Sequence, residues 1–117
     1  MIRVMSVFGT RPEAIKMAPV VRALLADSAR FESLVCVTAQ HRTMLDQVLD
    51  VFGLVTNDDL DLMVPGQTPA SVAGGVLAQL PAVIKRARPD VVLVQGDTMT
   101  TFGAAFAAYL ERVPTGR

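Results

Sequence analysis

Val4-Met5-Ser6-Val7-Phe8-Gly9-Thr10-Arg11-Pro12-Glu13-Ala14-Ile15-Lys16 reads as a strand, a one-glycine turn and a helix start. Val4, Val7 and Phe8, with Ile2 and Met5 around them, suit a strand buried on both faces, as in a parallel sheet. Gly9 allows a tight turn. Thr10 is a good N-cap, and Glu13 three residues on completes a capping box. Pro12 falls in the first helical turn, where its missing N–H costs little. The N–H groups of such a helix start point past the strand end, a natural seat for phosphate, and Arg11 adds a planar fork of donors. The same residues also suit the first junction of any α/β protein, with Arg11 as a solvated charge. A dinucleotide fingerprint requires G-x-G-x-x-G, and this turn has one glycine.

Outward from this junction the pattern repeats. The first helix is expected over 11–26, with Ile15, Ala18, Val20 or Val21, Leu24 and Leu25 on its apolar face and Pro19 as a kink or split. Phe31 to Thr38 reads as a second strand. A polar turn, Thr38 to Thr43, leads into a helix from Met44 to Phe52 that Thr43 caps and Gly53 ends. Asp58-Asp59 reads as a loop and Leu60 to Val64 as a short third strand. Thr68 caps a helix that Pro69 opens, with Val72, Val76, Leu80, Val83 and Ile84 in its stripe and Pro81 as a kink. Gly74-Gly75 either weaken its middle or admit a close neighbour. Val91 to Val94 reads as a fourth strand. Gly96-Asp97-Thr98 turns into a last helix from Met99 to Arg112, with Phe102, Ala105, Phe106, Tyr109 and Leu110 inward.

Four strands alternating with four helices argue for an α/β, Rossmann-like doubly wound parallel sheet. Right-handed crossovers give the spatial order third, second, first, fourth. Ligands bind where that order reverses, outside the carboxyl ends of the first and fourth strands. Topology therefore converges Gly9-Thr10-Arg11 and Gly96-Asp97-Thr98 on one site. Lys16 lies about 140° further round the helix than Arg11, so spacing alone does not bring their heads together.

The 117 residues fit one domain, 1–117. With 51% apolar and 19% charged residues, the composition is globular rather than disordered. Eleven basic residues balance eleven acidic ones, so no net field argues for nucleic acid or an anionic membrane. No apolar stretch nears the ~18 residues of a membrane span. The N-terminal apolar run is too short for a signal peptide, and a cytoplasmic location is expected. The lone Cys36 sits in an apolar run and reads as a buried, inert thiol.

Asp97 is either an acid/base group at the switch point or the N-cap of the last helix. The single histidine, His41, is either a polar turn residue or a ligand contact, and without a second histidine no metal centre is expected. Gln40 and Gln67 are loop amides on their own. Asp58, Asp59 and Asp61 resemble a metal loop only superficially, since no later Glu completes a calcium loop.

Three stretches then carry a resemblance. Val7 to Pro19 closely resembles the opening of the non-hydrolysing UDP-N-acetylglucosamine 2-epimerases. Val37-Thr38-Ala39-Gln40-His41-Arg42, followed by Met44 to Leu49, resembles their second signature. Pro89 to Thr98, followed by Thr100-Thr101, resembles their third. The resemblance implies the N-terminal half of a GT-B fold, with a UDP-sugar in the cleft between two Rossmann-like halves. It implies interconversion of UDP-GlcNAc and UDP-ManNAc by elimination and re-addition of UDP, with no external cofactor. By the same resemblance Arg11 and Lys16, beside Gly9 and Thr10, match positions near the diphosphate. Asp97 matches a carboxylate of the proton transfers. Gln40, His41 and Gln67 match a region that binds a second, activating UDP-GlcNAc in some members.

Gly66 stands where an arginine is usual in that region, which argues against activation. Gln95 stands where histidine is common, and Met99 interrupts a threonine run. Family members run to roughly three times this length, on the scale of two or more domains. The expectation is therefore an N-terminal fragment, lacking a fifth strand and the groups beyond it, and inactive alone. The resemblance also implies a homodimer for full-length members and a product that feeds surface polysaccharide or another glycan. The alternatives are a non-catalytic nucleotide-sugar-binding remnant and a GT-B glycosyltransferase fragment.

Overall fold

The computed structural model describes residues 1–39 and 42–117. Its elements are β1 (Ile2–Phe8), α1 (Arg11–Ala26), β2 (Phe31–Val37), α2 (Arg42–Phe52), β3 (Asp58–Asp59), α3 (Pro69–Ala87), β4 (Val91–Leu93), α4 (Met99–Leu110) and β5 (Thr115–Gly116). All strands pair in parallel, in the order β3-β2-β1-β4-β5. The expected order of the first four is therefore found. The expectation of a missing fifth strand is corrected: Thr115 and Gly116 pair with Val92 and Leu93 along the outer edge of β4.

The central strand explains the two-layered core. Val4 to Phe8 are all buried. Met5 and Val7 join Val76, Leu80 and Ile84 of α3 and the alanines of α4 on one face. Phe8 joins Ala14, Met17 and Val21 of α1 and Leu45 and Leu49 of α2 on the other. This is the helix-on-both-faces arrangement that a doubly wound parallel sheet requires.

Two helices turn a different face inward than hydrophobic size suggests. In α1 the buried positions are Glu13, Ala14, Met17, Ala18 and Val21, while Ile15, Val20 and Leu25 are exposed. The inward anchor is polar: the Glu13 carboxylate binds backbone N–H groups beneath the turn, and that sets the helix rotation. In α4 the buried face is Thr100, Thr101, Gly103, Ala104, Ala107 and Ala108. Phe102, Phe106, Tyr109 and Leu110, expected inward, are 41–73% exposed. The cause is the close approach of α3, where a Cβ on Gly103 would lie 2.9 Å from the Val76 Cβ. Only small side chains fit that seam. The aromatic rings instead stack along the outside, with centroids 6.0 and 6.3 Å apart.

The third strand is also displaced. It is Asp58–Asp59, read above as a loop, and not Leu60 to Val64. Asn57 fixes the register: its side chain accepts from the Val35 N–H at 2.8 Å, and its own N–H donates to the Val35 carbonyl at 2.8 Å. Asp61 takes φ 51°, which ends the extended run. α2 begins at Arg42, so Thr43 lies inside the helix. α1 and α3 continue through Pro19 and Pro81. Gly75 meets Leu62, whose side chain would lie 3.0 Å from an added Cβ.

Cys36 is buried as expected. Burial, and then the Asp58 and Asp59 charges, push its thiol up from 9.0 to about 12. The folded chain thus holds this proton more tightly than the unfolded chain does. The stability it supports is complete below pH 9 and falls as pH rises toward 12, by up to about 1.4 kcal/mol per pH unit. Urea midpoints measured across that window should fall more steeply for the wild type than for Cys36→Ala. Parallel slopes would contradict this.

Candidate functional site

The site is built on two strand–turn–helix junctions. At the first, β1 ends and Gly9 passes over a buried hydroxyl pair. Thr38 Oγ1 and Thr100 Oγ1 are hydrogen-bonded at 3.0 Å, and both residues are fully buried. A Cβ on Gly9 would lie 1.9 Å from the first oxygen and 3.0 Å from the second. The glycine is needed for room rather than for turning, since the left-handed glycines are Gly53, Gly66 and Gly96.

Glu13 then ties this junction to the second one. Its Oε1 accepts from the Gly9 N–H at 2.9 Å and the Thr10 N–H at 3.2 Å. Its Oε2 accepts from the Thr98 hydroxyl, 85 residues away in sequence. Thr101 Oγ1 lies 3.4 Å from the same oxygen and donates to the Gln95 carbonyl at 2.8 Å. The sequence reading gave Glu13 only its local capping role. The threonines that follow Asp97 were the available signal, because a run of hydroxyls at a helix start can supply donors to a buried acceptor.

Between the junctions lies a crevice of about 220 Å³, lined by Thr10, Glu13, Lys16, Gln95, Asp97 and Thr98 among others. It opens at the β1/β4 switch point. Lys16 and Asp97 are both exposed there. Asp97 is not the cap of α4: Thr98 is the N-cap residue, and its hydroxyl accepts from the Thr101 N–H at 3.3 Å. That leaves the Asp97 carboxylate outside the helix-capping role. Gly96, at φ 90°, makes the turn that presents it.

The other expected site residues fall elsewhere. Arg11 is exposed but lines a separate groove of about 340 Å³ between α1 and α2, with Ile15, Gln47, Val48, Val51 and Phe52. Topology thus brings together Thr10, Lys16 and Asp97, and leaves Arg11 on the neighbouring groove. Gln67 is half-buried just ahead of α3 and does not line the crevice. Gln40 and His41 lie outside the described residues. Among the described residues no group of three or more His, Cys, Asp or Glu could hold a metal ion.

The crevice is smaller than the roughly 300–1,000 Å³ of an enclosed small-molecule site. It therefore forms one wall of a site, with the Lys16 ammonium and the Asp97 carboxylate on its rim. Fold and crevice define the class: a doubly wound α/β domain of the kind that receives nucleotides at its switch point. Residues 23–116 match the family model for UDP-N-acetylglucosamine 2-epimerase. The chain belongs to that family.

Among its relatives are the UDP-N-acetylglucosamine 2-epimerases of Yersinia pestis, 54% identical over 115 residues, and Escherichia coli K12, 52% identical over 115 residues. Each match covers 98% of this chain and 30% of the relative, so the chain spans under a third of their length. The crystal structure of the UDP-GlcNAc 2-epimerase from Neisseria meningitidis, bound to UDP-GlcNAc, superposes with a TM-score of 0.90 at 47% identity. That match covers 98% of this chain and 31% of the Neisseria chain. The fold is Rossmann-like and corresponds to the N-terminal part of a GT-B architecture. No described helix is long and apolar enough to cross a membrane.

Proposed function

We propose that these residues form one wall of the active site of an isomerase that interconverts UDP-GlcNAc and UDP-ManNAc. The observation that carries this is the placement of Lys16 and Asp97 on one crevice at the switch point, in a chain of this family. The reaction inverts C2. Loss of the C2 proton and cleavage of the anomeric C–O bond release UDP and leave a 2-acetamidoglucal. UDP then adds back while a proton returns to the other face of C2. Asp97 serves these proton transfers. Lys16, with Arg11 reaching over from the adjacent groove, offsets the charge that develops on departing diphosphate. The chemistry needs no external cofactor.

Further assignments belong to the same proposal. Gln40, His41 and Gln67 are assigned to a response to a second, activating UDP-GlcNAc, which Gly66 in place of an arginine weakens. The enzyme works in the cytoplasm as a homodimer. Neither nucleic acid nor membrane is a partner. Because the residues here form one wall, the 117-residue chain alone is expected to bind UDP with a dissociation constant in the millimolar range and to turn nothing over. Titration of UDP into the ¹⁵N-labelled chain should give saturable shifts around Lys16 and Asp97. Lys16→Met should weaken binding about tenfold, the scale of one charge-assisted contact. No saturable shift at tens of millimolar UDP would overturn this assignment.

A further inference from the structure

We infer that Glu13 is an internal anion that occupies the Gly9 and Thr10 N–H groups of the phosphate seat ahead of α1 and turns a diphosphate outward toward side chains. A helix start with free N–H groups attracts phosphate. Here the Gly9 and Thr10 N–H groups both already donate to the Glu13 carboxylate, at 2.9 and 3.2 Å. Pro12, in the first turn, has no N–H to offer. The carboxylate is also held from the opposite junction by the Thr98 hydroxyl, so it is anchored on both sides. Glu13 is 4% exposed yet lines the crevice. Its charge therefore sits directly beneath the place where a ligand's charge would come.

Two consequences follow. An incoming phosphate cannot take the Gly9 and Thr10 N–H groups, and its main contacts shift to the Lys16 side chain and to Arg11 reaching across. It also feels a fixed like charge below it, which holds affinity down and favours release of a diphosphate leaving group. Glu13 thus acts as a positioning and specificity-determining residue. The part assigned to Lys16 and Arg11 rests on the function proposed above; closure of the seat does not.

The test uses the ¹⁵N-labelled chain, inorganic pyrophosphate as the probe, and the variants Glu13→Gln and Glu13→Ala. The glutamine carbonyl still fills the seat, but the charge is gone. In the wild type, pyrophosphate should shift signals around Lys16 and leave the Gly9 and Thr10 amides unmoved. Glu13→Gln should keep those two amides silent and bind about fivefold more tightly, from removal of one nearby like charge. A merely structural role would not tighten an anion. Glu13→Ala should open the seat, so that the Gly9 and Thr10 amides shift downfield and saturate. If Glu13→Ala does not fold, the Glu13→Gln affinity decides alone. Saturating shifts of Gly9 and Thr10 in the wild type, or no tightening in Glu13→Gln, would overturn the inference. Binding by Glu13→Ala with none by the wild type would uphold the closed seat and remove the diphosphate role of Lys16.

Discussion

Replacing Gly9 by alanine is expected to destabilise the chain by about 3–5 kcal/mol, a large share of a typical domain's stability. The added methyl would lie 1.9 Å from Thr38 Oγ1 and 3.0 Å from Thr100 Oγ1. Both residues are fully buried and their hydroxyls bond each other, so neither has free space to turn into. Either the backbone lifts and strips Glu13 of its two N–H donors, or the hydroxyl pair breaks and leaves a buried oxygen unpaired. Both routes cost more than the backbone change alone. Denaturant unfolding of Gly9→Ala, Thr38→Ala and the double variant separates the causes. Removal of the Thr38 hydroxyl should recover part of the Gly9→Ala loss, a coupling of about 1 kcal/mol or more. Strict additivity would show that Gly9 is there for another reason.

Asp97→Asn is expected to cost about 10³-fold in kcat, within the range of a lost acid/base group. The protein for this measurement carries these residues in place of the matching N-terminal stretch of the Escherichia coli relative, to which they are 52% identical over 115 residues. Asp97 is exposed and Thr98 takes the capping role, so thermal stability should be unchanged within about 0.5 kcal/mol. KM should change little, because the substitution removes proton movement rather than a diphosphate contact. A loss of kcat smaller than about threefold would remove Asp97 from the chemistry.

Legibility from sequence varied along the chain, for reasons that are themselves structural. The β1–α1 junction was readable because strand hydrophobicity, the glycine, the threonine cap and the early proline all point the same way. The strand order followed from alternation and handedness alone. The α4 face was not readable, because its contact with α3 is set by how closely two backbones approach at Gly103 and Val76, which favours alanines over aromatics. β3 was misplaced because the Leu60-Asp61-Leu62 alternation is a local strand signal, while pairing is decided by Asn57 gripping Val35. At the site, Asp97 was reachable by topology, and Lys16 came only with the family resemblance. Arg11, which topology also placed there, lines the neighbouring groove because it points off α1 toward α2. The second role of Glu13 was hidden, since its capping partners are neighbours and its tertiary partner Thr98 is 85 residues distant.

The central claim is that this chain supplies the Lys16 and Asp97 wall of an epimerase site. Its most direct test is proton NMR of UDP-GlcNAc incubated in deuterated water with the Escherichia coli chimera described above. Conversion to UDP-ManNAc, with deuterium at C2 of both sugars, is the expected result. A folded chimera that binds UDP-GlcNAc but exchanges nothing at C2 would contradict the claim and leave a nucleotide-sugar-binding domain without the chemistry.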